Sequence, residues 1–304
     1  MGPSAIRYAG LRHKIVQLGL NVHDVGNVQV PLVDLLDVGD PGDPCLKHLD
    51  PIVEVGRELA SIVKKTISDG AFPVVLGGDH SIALGSVAGA AQVLNVGVIW
   101  LDSHGDFNTH ETTPSGNIHG MPLAALCGLG HPRLVTLDGY LTSNPIIQPS
   151  RVVLVGARDL DPGEKDLLAS AGVHVFSIAA IDRFGIGWVM ERAIEIAGQG
   201  TDGIYVSLDL DVVDPAYAPG VGTPVQGGLT VREAHVALEM IAASGRLVGL
   251  DLVEVNPILD RFNTTAELAV ELCLSALGKT VWPADLDIDL ATLSRSTRAY
   301  AETN

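Results

Sequence analysis

Short apolar runs alternate with longer helical patterns along nearly the whole of this 304-residue chain. The runs lie at residues 73–76, 96–101, 151–155, 204–208 and 247–255. Val/Ile/Leu-rich strands separated by helices are typical of βαβ units, in which helices cover both faces of a parallel sheet. We therefore predict an α/β fold with three layers, α/β/α, around a central and mostly parallel sheet. A single domain over residues 1–304 is expected.

Helix signals fill the intervals between these runs. Apolar residues recur at helical spacing over residues 52–67, and Gly70 stands where a C-terminal cap is expected. The sequences TVRE at 230–233 and TTAE at 264–267 match the capping box that begins many helices. The segment 34–50, rich in Asp, Pro and Gly, is predicted to be a flexible surface loop.

Polar clusters stand where the apolar runs end. They include His80, the segment 102–106, the segment 158–161, the pair Asp209 and Asp211, and Glu254. In open α/β sheets, ligands bind at the edge formed by the carboxyl ends of the strands. The sequence therefore predicts that these side chains meet at one edge of the sheet.

The segment DSHGD at 102–106 indicates a metal site. Residues i, i+2 and i+4 of an extended backbone share one face, so Asp102, His104 and Asp106 are predicted to converge on one point. The other candidate ligands, each after its own apolar run, are His80, Asp209 and Asp211.

These six candidate ligands comprise four carboxylates and two imidazoles. A single divalent ion with a position open to substrate does not need so many, whereas two ions that share bridging carboxylates use all six. Oxygen-rich ligation without thiolates favours Mn²⁺ over Zn²⁺. The pattern predicts a pair of divalent ions that activate water.

The composition of the chain restricts the kinds of partner that it can bind. The formal net charge of −17, with only 19 Lys and Arg residues, argues against a nucleic-acid partner and favours a small cationic substrate. Three cysteines without a Cys-x-x-Cys pattern fit a reducing compartment, and no apolar run approaches the roughly 20 residues of a spanning helix. We predict a soluble, cytoplasmic protein that binds no membrane.

Five stretches resemble the ureohydrolase family over almost the whole chain. Three match its signatures: GGDHS at 77–81, DSHGDFN at 102–108 and SLDLDVVDP at 207–215. Two more, SGNIHG at 115–120 and RDLDPGE at 158–164, are similar to the arginase branch, of the bacterial type. The resemblance implies the arginase-like α/β fold and a hydrolase.

The same resemblance implies two Mn²⁺ ions per subunit. His80 and Asp106 would complete one site, His104 and Asp211 would complete the other, and Asp102 and Asp209 would bridge the two ions. A hydroxide between the ions would attack the guanidinium carbon of L-arginine and give L-ornithine and urea.

The resemblance also implies roles for further residues. Glu254 matches the carboxylate that pairs with the substrate guanidinium, whose planar fork of donors suits a bidentate partner. His119 matches a proton-shuttling histidine, and Asp106 would pass a proton to the leaving amine. Thr223 matches a threonine of the substrate pocket.

The amino-acid head of the substrate has its own matching residues. Asn108 and Ser115 match groups that recognise the α-carboxylate, and Asp161, with Asp159 beside it, matches one that engages the α-amino group. A carboxylate-binding pair favours an arginase over an agmatinase, whose substrate lacks the carboxylate. Agmatinase or another guanidino-compound hydrolase remains the alternative, followed by an inactive scaffold relative. The resemblance also implies a homo-oligomer, a trimer or a hexamer.

Two features depart from the family pattern. Ser103 stands where the family usually has Ala, and it is predicted to point away from the metal ligands. The segment 1–7 resembles one that follows a first β-strand in family members. We therefore expect that this chain lacks the first strand of the family and that Met1 is an internal methionine.

Overall fold

A computed structural model describes residues 1–31, 42–142 and 145–281. Within them, six strands form one sheet in which every pair of neighbours is parallel. The strands are β1 (Val74–Leu76), β2 (Val96–Leu101), β3 (Val152–Ala157), β4 (His174–Ser177), β5 (Gly203–Asp209) and β6 (Leu247–Val253). The predicted α/β fold is confirmed.

The order of strands across the sheet is β1-β6-β5-β2-β3-β4. From β2 the chain proceeds outward on one side through β3 and β4, and it then returns to the other side of β2 to form β5 and β6. The strand order therefore reverses between β2 and β5. In sheets of this kind, the crevice at the reversal is the usual place for a ligand.

Helices cover both faces of the sheet. The helices are α1 (Gly2–Tyr8), α2 (Leu11–Gln17), α3 (Leu49–Ser68), α4 (Ala83–Ala91), α5 (Pro122–Leu126), α6 (Pro132–Thr136), α7 (Pro162–Ala171), α8 (Ile178–Phe184), α9 (Ile186–Gly198), α10 (Val231–Ala243) and α11 (Thr264–Ala276). Helices α1, α2 and α8–α11 pack on one face, and α3–α7 pack on the other. This arrangement gives the three predicted layers.

The two hydrophobic cores follow from alternation along the strands. In β2, Ile99 and Leu101 belong to the core on one face, while Val98 and Trp100 belong to the core on the other. Successive side chains of a strand point to opposite faces, so a strand covered on both sides must be apolar throughout. Every residue of β2 is buried accordingly.

The five predicted strands are present, with shifted ends. Strand β6 stops at Val253, two residues before the predicted end, because Glu254 adopts a left-handed backbone with φ 64°. Strand β4 was not predicted. It has only four residues, begins with His174 and is largely exposed at the sheet edge, so it lacks a clear apolar run.

Two helix predictions are confirmed and one is wrong. Helix α3 contains residues 52–67, with Gly70 at φ 79° just beyond its end, and a capping box begins α10 at Thr230. The box predicted at 264–267 does not form, because Asn263 is the N-cap of α11 and the Thr264 hydroxyl donates to the carbonyl of Arg261 instead.

The predicted flexible loop at 34–50 is partly outside the described residues, which resume at 42. In the described part, residues 42–45 are exposed, which agrees with a surface loop, whereas the residues after them are anchored in the fold. Leu46 is buried, Lys47 forms an isolated parallel bridge with Asn117, and α3 begins at Leu49. Packing of Leu46 in the core, which the composition of the segment hides, anchors this end of the loop. No helix within the described ranges has the length and apolarity that a bilayer span needs.

Candidate metal and substrate site

The polar clusters meet at the carboxyl edge of the sheet. Asp102 directly follows β2, Asp209 ends β5, and these two strands are neighbours at the reversal of strand order. Glu254 directly follows β6, and His80 begins a short 3-10 turn after β1. Parallel strands bring their ends to one edge, so residues as distant as 80 and 254 become neighbours.

His80 lies at the centre of the first cluster. Its Nδ1 atom is 3.0 Å from Oδ2 of Asp102, 3.0 Å from Oδ2 of Asp106 and 3.3 Å from Oδ2 of Asp209. All four residues are buried. The set combines one imidazole with three carboxylates around a single point.

His104 forms the second cluster. Its Nδ1 atom lies 2.9 Å from Oδ2 of Asp211 and 3.5 Å from Oδ1 of Asp102. Asp102 therefore contributes one oxygen to each cluster, and the triads that can hold an ion share this residue. A short 3-10 turn over Leu210–Val212, with the Asp211 amide donating to Oδ1 of Asp209, sets the spacing of the last two carboxylates.

The three residues of the segment 102–106 converge by a route that differs from the prediction. Strand β2 ends at Leu101, so the segment is not an extended strand. Asp106 has φ 50°, a left-handed conformation that is uncommon for any residue other than glycine. Such backbone strain is typical of functional sites, where surrounding contacts hold it in place.

Two buried atoms in the site lack hydrogen-bond partners among the described residues. They are Nδ1 of His80 and Oδ2 of Asp106, 3.0 Å apart. Buried polar groups are nearly always satisfied, and an unpaired nitrogen facing an unpaired carboxylate oxygen fits a missing cation. The residues present therefore suit a pair of divalent metal ions.

The electrostatics agree with a cation site. Burial alone would lower the pKa of His80, but the neighbouring carboxylates, Asp106 first, raise it well above its ordinary value. Burial also opposes protonation of His104, yet Asp102 and Asp211 raise its pKa to about 12. Burial and the charge of Asp102 raise the pKa of Asp106 to about 7. Without an ion, the site compensates its negative charge with protons.

Ser103 does not point away from the ligands, and that prediction is wrong. Its side chain is fully buried, and its Oγ atom lies 3.0 Å from Nδ1 of His104, the nitrogen that faces Asp211. Its backbone N–H donates to Oδ1 of Asp211 (3.1 Å). The departure from the family pattern thus touches the second cluster directly.

Glu254 connects the first cluster to His119. Its Oε1 atom accepts a hydrogen bond from the backbone N–H of His80 (3.0 Å) and lies 3.3 Å from Nδ1 of His119. This hydrogen bond to Glu254 raises the pKa of His119 to about 9, against the opposing effect of burial. Both side chains therefore lie beside the candidate metal ligand His80.

The residues expected to bind the amino-acid head occupy the loops above the site. Nδ2 of Asn108 donates to Oδ2 of Asp161 (2.9 Å), so these two lie together. Ser115 and Asp159 are exposed. Oγ of Ser115 accepts from the backbone N–H of Asn117, and the backbone N–H of Asp159 donates to the carbonyl of Ser103. The Thr223 hydroxyl donates to Oδ2 of Asp211 (3.2 Å), which joins this pocket residue to the second cluster.

Glu164, the last residue of the RDLDPGE stretch, connects two loops of the site. Its Oε1 accepts from the N–H of Phe107 and its Oε2 from the N–H of Asp161, and burial raises its pKa to about 7. A Cβ at Gly105 would lie 2.6 Å from its carboxyl carbon, so only glycine fits there. Glu164 thereby joins the loop of Asp106 to the loop of Asp161.

Arg158 has a similar connecting role. Its guanidinium donates to the carbonyl oxygens of Asp211 (2.6 Å), Val212 (3.2 Å), Val225 (2.8 Å) and Gly156 (3.4 Å). These bonds fasten the segment that carries Asp211 and Thr223 to the end of β3. The signal in the sequence was a charged residue directly after an apolar run, but the carbonyl partners belong to distant loops.

Comparison with known proteins gives a consistent result. A model described as "Arginase family" matches residues 1–278. The arginase of Brevibacillus brevis is 50% identical over 279 residues, which is 91% of either chain. The solved structure of arginase from Bacillus caldovelox at pH 5.6 has a TM-score of 0.88 at 47% identity, and that from Bacillus cereus 0.86 at 48%; each comparison covers 93% of both chains.

The range matched by the family model, residues 1–278, includes all six strands and the polar clusters described above. The motif resemblance, the three-layer fold and the paired His/Asp triads agree with this match. The chain therefore belongs to the arginase family of ureohydrolase enzymes.

Proposed function

We propose that this protein hydrolyses L-arginine to L-ornithine and urea with two Mn²⁺ ions. The observation that carries the proposal is the position of Glu254, an acid suited to a guanidinium, against the backbone of His80 in a buried cluster of metal-ligand side chains. Similarity to bacterial arginases supports the same reaction.

Six side chains would hold the metal ions. They are His80, Asp102, His104, Asp106, Asp209 and Asp211, and Asp102 belongs to both clusters. Four carboxylates balance the charge of two divalent ions, and the absence of thiolates from this set favours Mn²⁺. When bound, such a metal pair lowers the pKa of water and so supplies a nucleophile at neutral pH.

Glu254 would orient the guanidinium. Within the described residues, both hydrogen-bond contacts of its side chain fall on Oε1, which leaves Oε2 for the substrate. A carboxylate that meets a planar guanidinium adds orientation as well as binding energy. The reacting carbon would then face the metal ligands beside it.

Two groups would move protons. His119, with a pKa raised to about 9 by its hydrogen bond to Glu254, is protonated at neutral pH and suits proton transfer to the products. Asp106, buried beside His80, would carry the proton to the leaving amine. We propose catalytic roles for these two residues and for Glu254.

The amino-acid head would bind in the loops above. Asn108 and Ser115 would donate to the α-carboxylate, and Asp161 with Asp159 would meet the α-amino group. Contact between Asn108 and Asp161 supports this placement, since it puts a neutral donor next to an acid, as a zwitterion requires. Thr223 would line the pocket beside Asp211.

A urea-release assay tests the proposal. The protein is dialysed against chelator to remove bound metal and is then reloaded with Mn²⁺. It is assayed with L-arginine, agmatine and a guanidino acid such as 4-guanidinobutyrate. We expect urea from L-arginine, and none from chelated protein. Preference for agmatine or the guanidino acid would replace the proposal with the agmatinase-type alternative, and no urea from any substrate would favour an inactive scaffold.

Assembly and location are proposed from the same family. We propose a homo-oligomer, a trimer or a hexamer, in the cytoplasm, with one domain per subunit. Light scattering during size-exclusion chromatography distinguishes the two assemblies from a monomer.

A further inference from the structure

A fully buried carboxylate, Asp251, lies in β6. It has no exposed surface and stands between Leu250 and Leu252 in an otherwise apolar strand. A charged residue is almost never buried to this extent unless it is paired or hydrogen-bonded. The mechanism proposed above gives this residue no part.

Three hydroxyl groups surround Asp251. Oδ1 lies 2.7 Å from the hydroxyl of Tyr205, and Oδ2 lies 2.7 Å from Oγ of Ser86 and 3.1 Å from Oγ of Ser207. Burial raises the pKa of Asp251 to about 6, so the carboxylate is ionised at neutral pH. An ionised carboxylate can only accept, and each hydroxyl must therefore donate to it.

The hydrogen bond from Ser207 to Asp251 also affects the metal site. Oγ of Ser207 also lies 2.8 Å from Nε2 of His80. A serine hydroxyl has a single hydrogen, and here that hydrogen is directed to Asp251. Ser207 must then accept from His80, so Nε2 carries a proton.

The proton on Nε2 determines whether Nδ1 has a lone pair for a metal ion. A metal ion requires neutral imidazole, in which one nitrogen donates and the other has a lone pair. With the proton on Nε2, the lone pair of the neutral ring is on Nδ1, the nitrogen that faces Asp102 and Asp106. Trp100 fixes the ring plane, because it stacks on His80 at 4.0 Å and donates from Nε1 to Asp102 (2.9 Å). Partners of this kind orient metal ligands and raise their affinity.

We propose that Asp251 is a positioning residue that acts through Ser207 to hold His80 in the tautomer whose Nδ1 binds metal. Tyr205 anchors the other oxygen of the carboxylate, Oδ1, and Ser86 shares Oδ2 with Ser207. A Cβ at Gly249 would lie 2.2 Å from the Tyr205 ring, so glycine at 249 makes the room that the ring needs. The proposal rests on the metal site of the proposed function but not on its substrate.

Calorimetric titration of Mn²⁺ alone into metal-free protein tests the proposal. We expect Asp251→Asn to raise the Kd of the tighter Mn²⁺ site by about 10- to 100-fold. If Asp251 acts through Ser207, the same substitution in a Ser207→Ala background should change Kd less than about twofold, since coupled residues are not additive. An unchanged Kd, or equal effects in both backgrounds, overturns the proposal.

Ser275→Ala is a matched control for Ser207→Ala. Ser275 is also a buried serine, and its Oγ lies 2.9 Å from Nδ1 of His235, but it is on α11, outside the metal site. We expect Ser275→Ala to leave the Mn²⁺ Kd unchanged while Ser207→Ala raises it. Equal Kd values for the two variants contradict the proposal that Ser207 connects Asp251 to His80.

A second variant is used if Asp251→Asn does not fold. Circular dichroism and the melting temperature of the metal-free protein identify it, and Tyr205→Phe then takes its place, because it removes one donor to Asp251 and keeps the ring beside Gly249. A smaller rise in Kd, absent in the Ser207→Ala background, is expected. Wild-type protein that binds Mn²⁺ without releasing urea would overturn the proposed function alone, whereas wild-type protein that binds no Mn²⁺ would overturn both.

Discussion

The carboxylate of Glu254 accepts a hydrogen bond of 3.0 Å from the backbone N–H of His80, although 174 residues separate them in the chain. The bond joins the end of β6 to the turn after β1, two strands that pair in parallel. Glu254 needs a left-handed backbone, φ 64°, to reach it. The acid proposed to bind the guanidinium is therefore held in register with a proposed metal ligand.

Glu254→Gln tests that relationship. The amide oxygen can still accept from His80, so the amide NH₂ group would face the guanidinium, donor against donor. We expect kcat/KM for L-arginine to fall at least about 100-fold, equivalent to about 2.7 kcal/mol, with Mn²⁺ affinity nearly unchanged. Steady-state kinetics and metal titration measure the two effects, and a variant that retains wild-type kcat/KM contradicts the assigned role.

Ser103→Ala should strengthen metal binding. The Ser103 hydroxyl lies 3.0 Å from Nδ1 of His104, the nitrogen that an ion must take, and therefore favours the metal-free form. Removal of a hydrogen bond worth about 1 kcal/mol should lower the Mn²⁺ Kd of one site roughly fivefold. Calorimetric titration of both proteins gives the comparison, and weaker binding by the alanine variant would mean that the hydroxyl supports the ion instead.

Metal binding should release protons. Asp102 and Asp211 raise the pKa of His104 to about 12, so its imidazole is protonated in metal-free protein at pH 7.5, and the carboxylates around His80 raise its pKa in the same direction. A metal ligand must be neutral imidazole, so each ion displaces protons and the Mn²⁺ affinity should rise from pH 6.5 to 8.5. Calorimetry in phosphate and in Tris, buffers with different ionisation enthalpies, counts the protons. Identical enthalpies in the two buffers would rule out this release.

Ser115→Ala should reduce discrimination between substrates. Ser115 is proposed to donate to the α-carboxylate, which agmatine lacks. A lost hydrogen bond to a charged group costs about 1.5–3 kcal/mol, so KM for L-arginine should rise about 10- to 100-fold while kcat/KM for agmatine stays constant. Agmatine thus serves as the internal control, and an equal loss with both substrates would assign Ser115 a purely structural role.

Glu164→Gln should loosen the two loops that it joins. Its two oxygens each accept one backbone N–H, from Phe107 and Asp161, so an amide NH₂ must oppose one of these donors. We expect a loss of about 1–3 kcal/mol in the free energy of unfolding and a higher KM for L-arginine. Denaturant titration and kinetics provide the measurements.

Glu233→Gln is the control for that substitution. In the capping box of α10, one oxygen of Glu233 accepts both bonds from Thr230, so a glutamine oxygen can replace it. Its effect on unfolding should stay within about 0.5 kcal/mol. Similar losses in the free energy of unfolding for the two variants would show that the Glu164 contacts stabilise the fold no more than an ordinary capping box does.

Local patterns in the sequence predicted the fold class, which the structure confirms, and they supplied the candidate residues of the site. Alternating apolar runs predicted five of the six strands in the described part of the chain, because a doubly covered strand is largely apolar on both faces. Placement of Asp102, Asp209 and Glu254 at the ends of those runs predicted a shared edge, and the motifs around them carried the family resemblance. These signals are local, so a single sequence contains them.

Only the tertiary structure decided which distant groups meet. Strand order placed β5 beside β2, and the left-handed backbone of Asp106 turned its carboxylate to His80, contrary to the extended segment that spacing suggested. Asp251 was visible in the sequence only as an isolated acid in an apolar strand. Its partners lie 44 to 165 residues away, and hydrogen bonds over such separations follow from how the layers pack rather than from any local pattern.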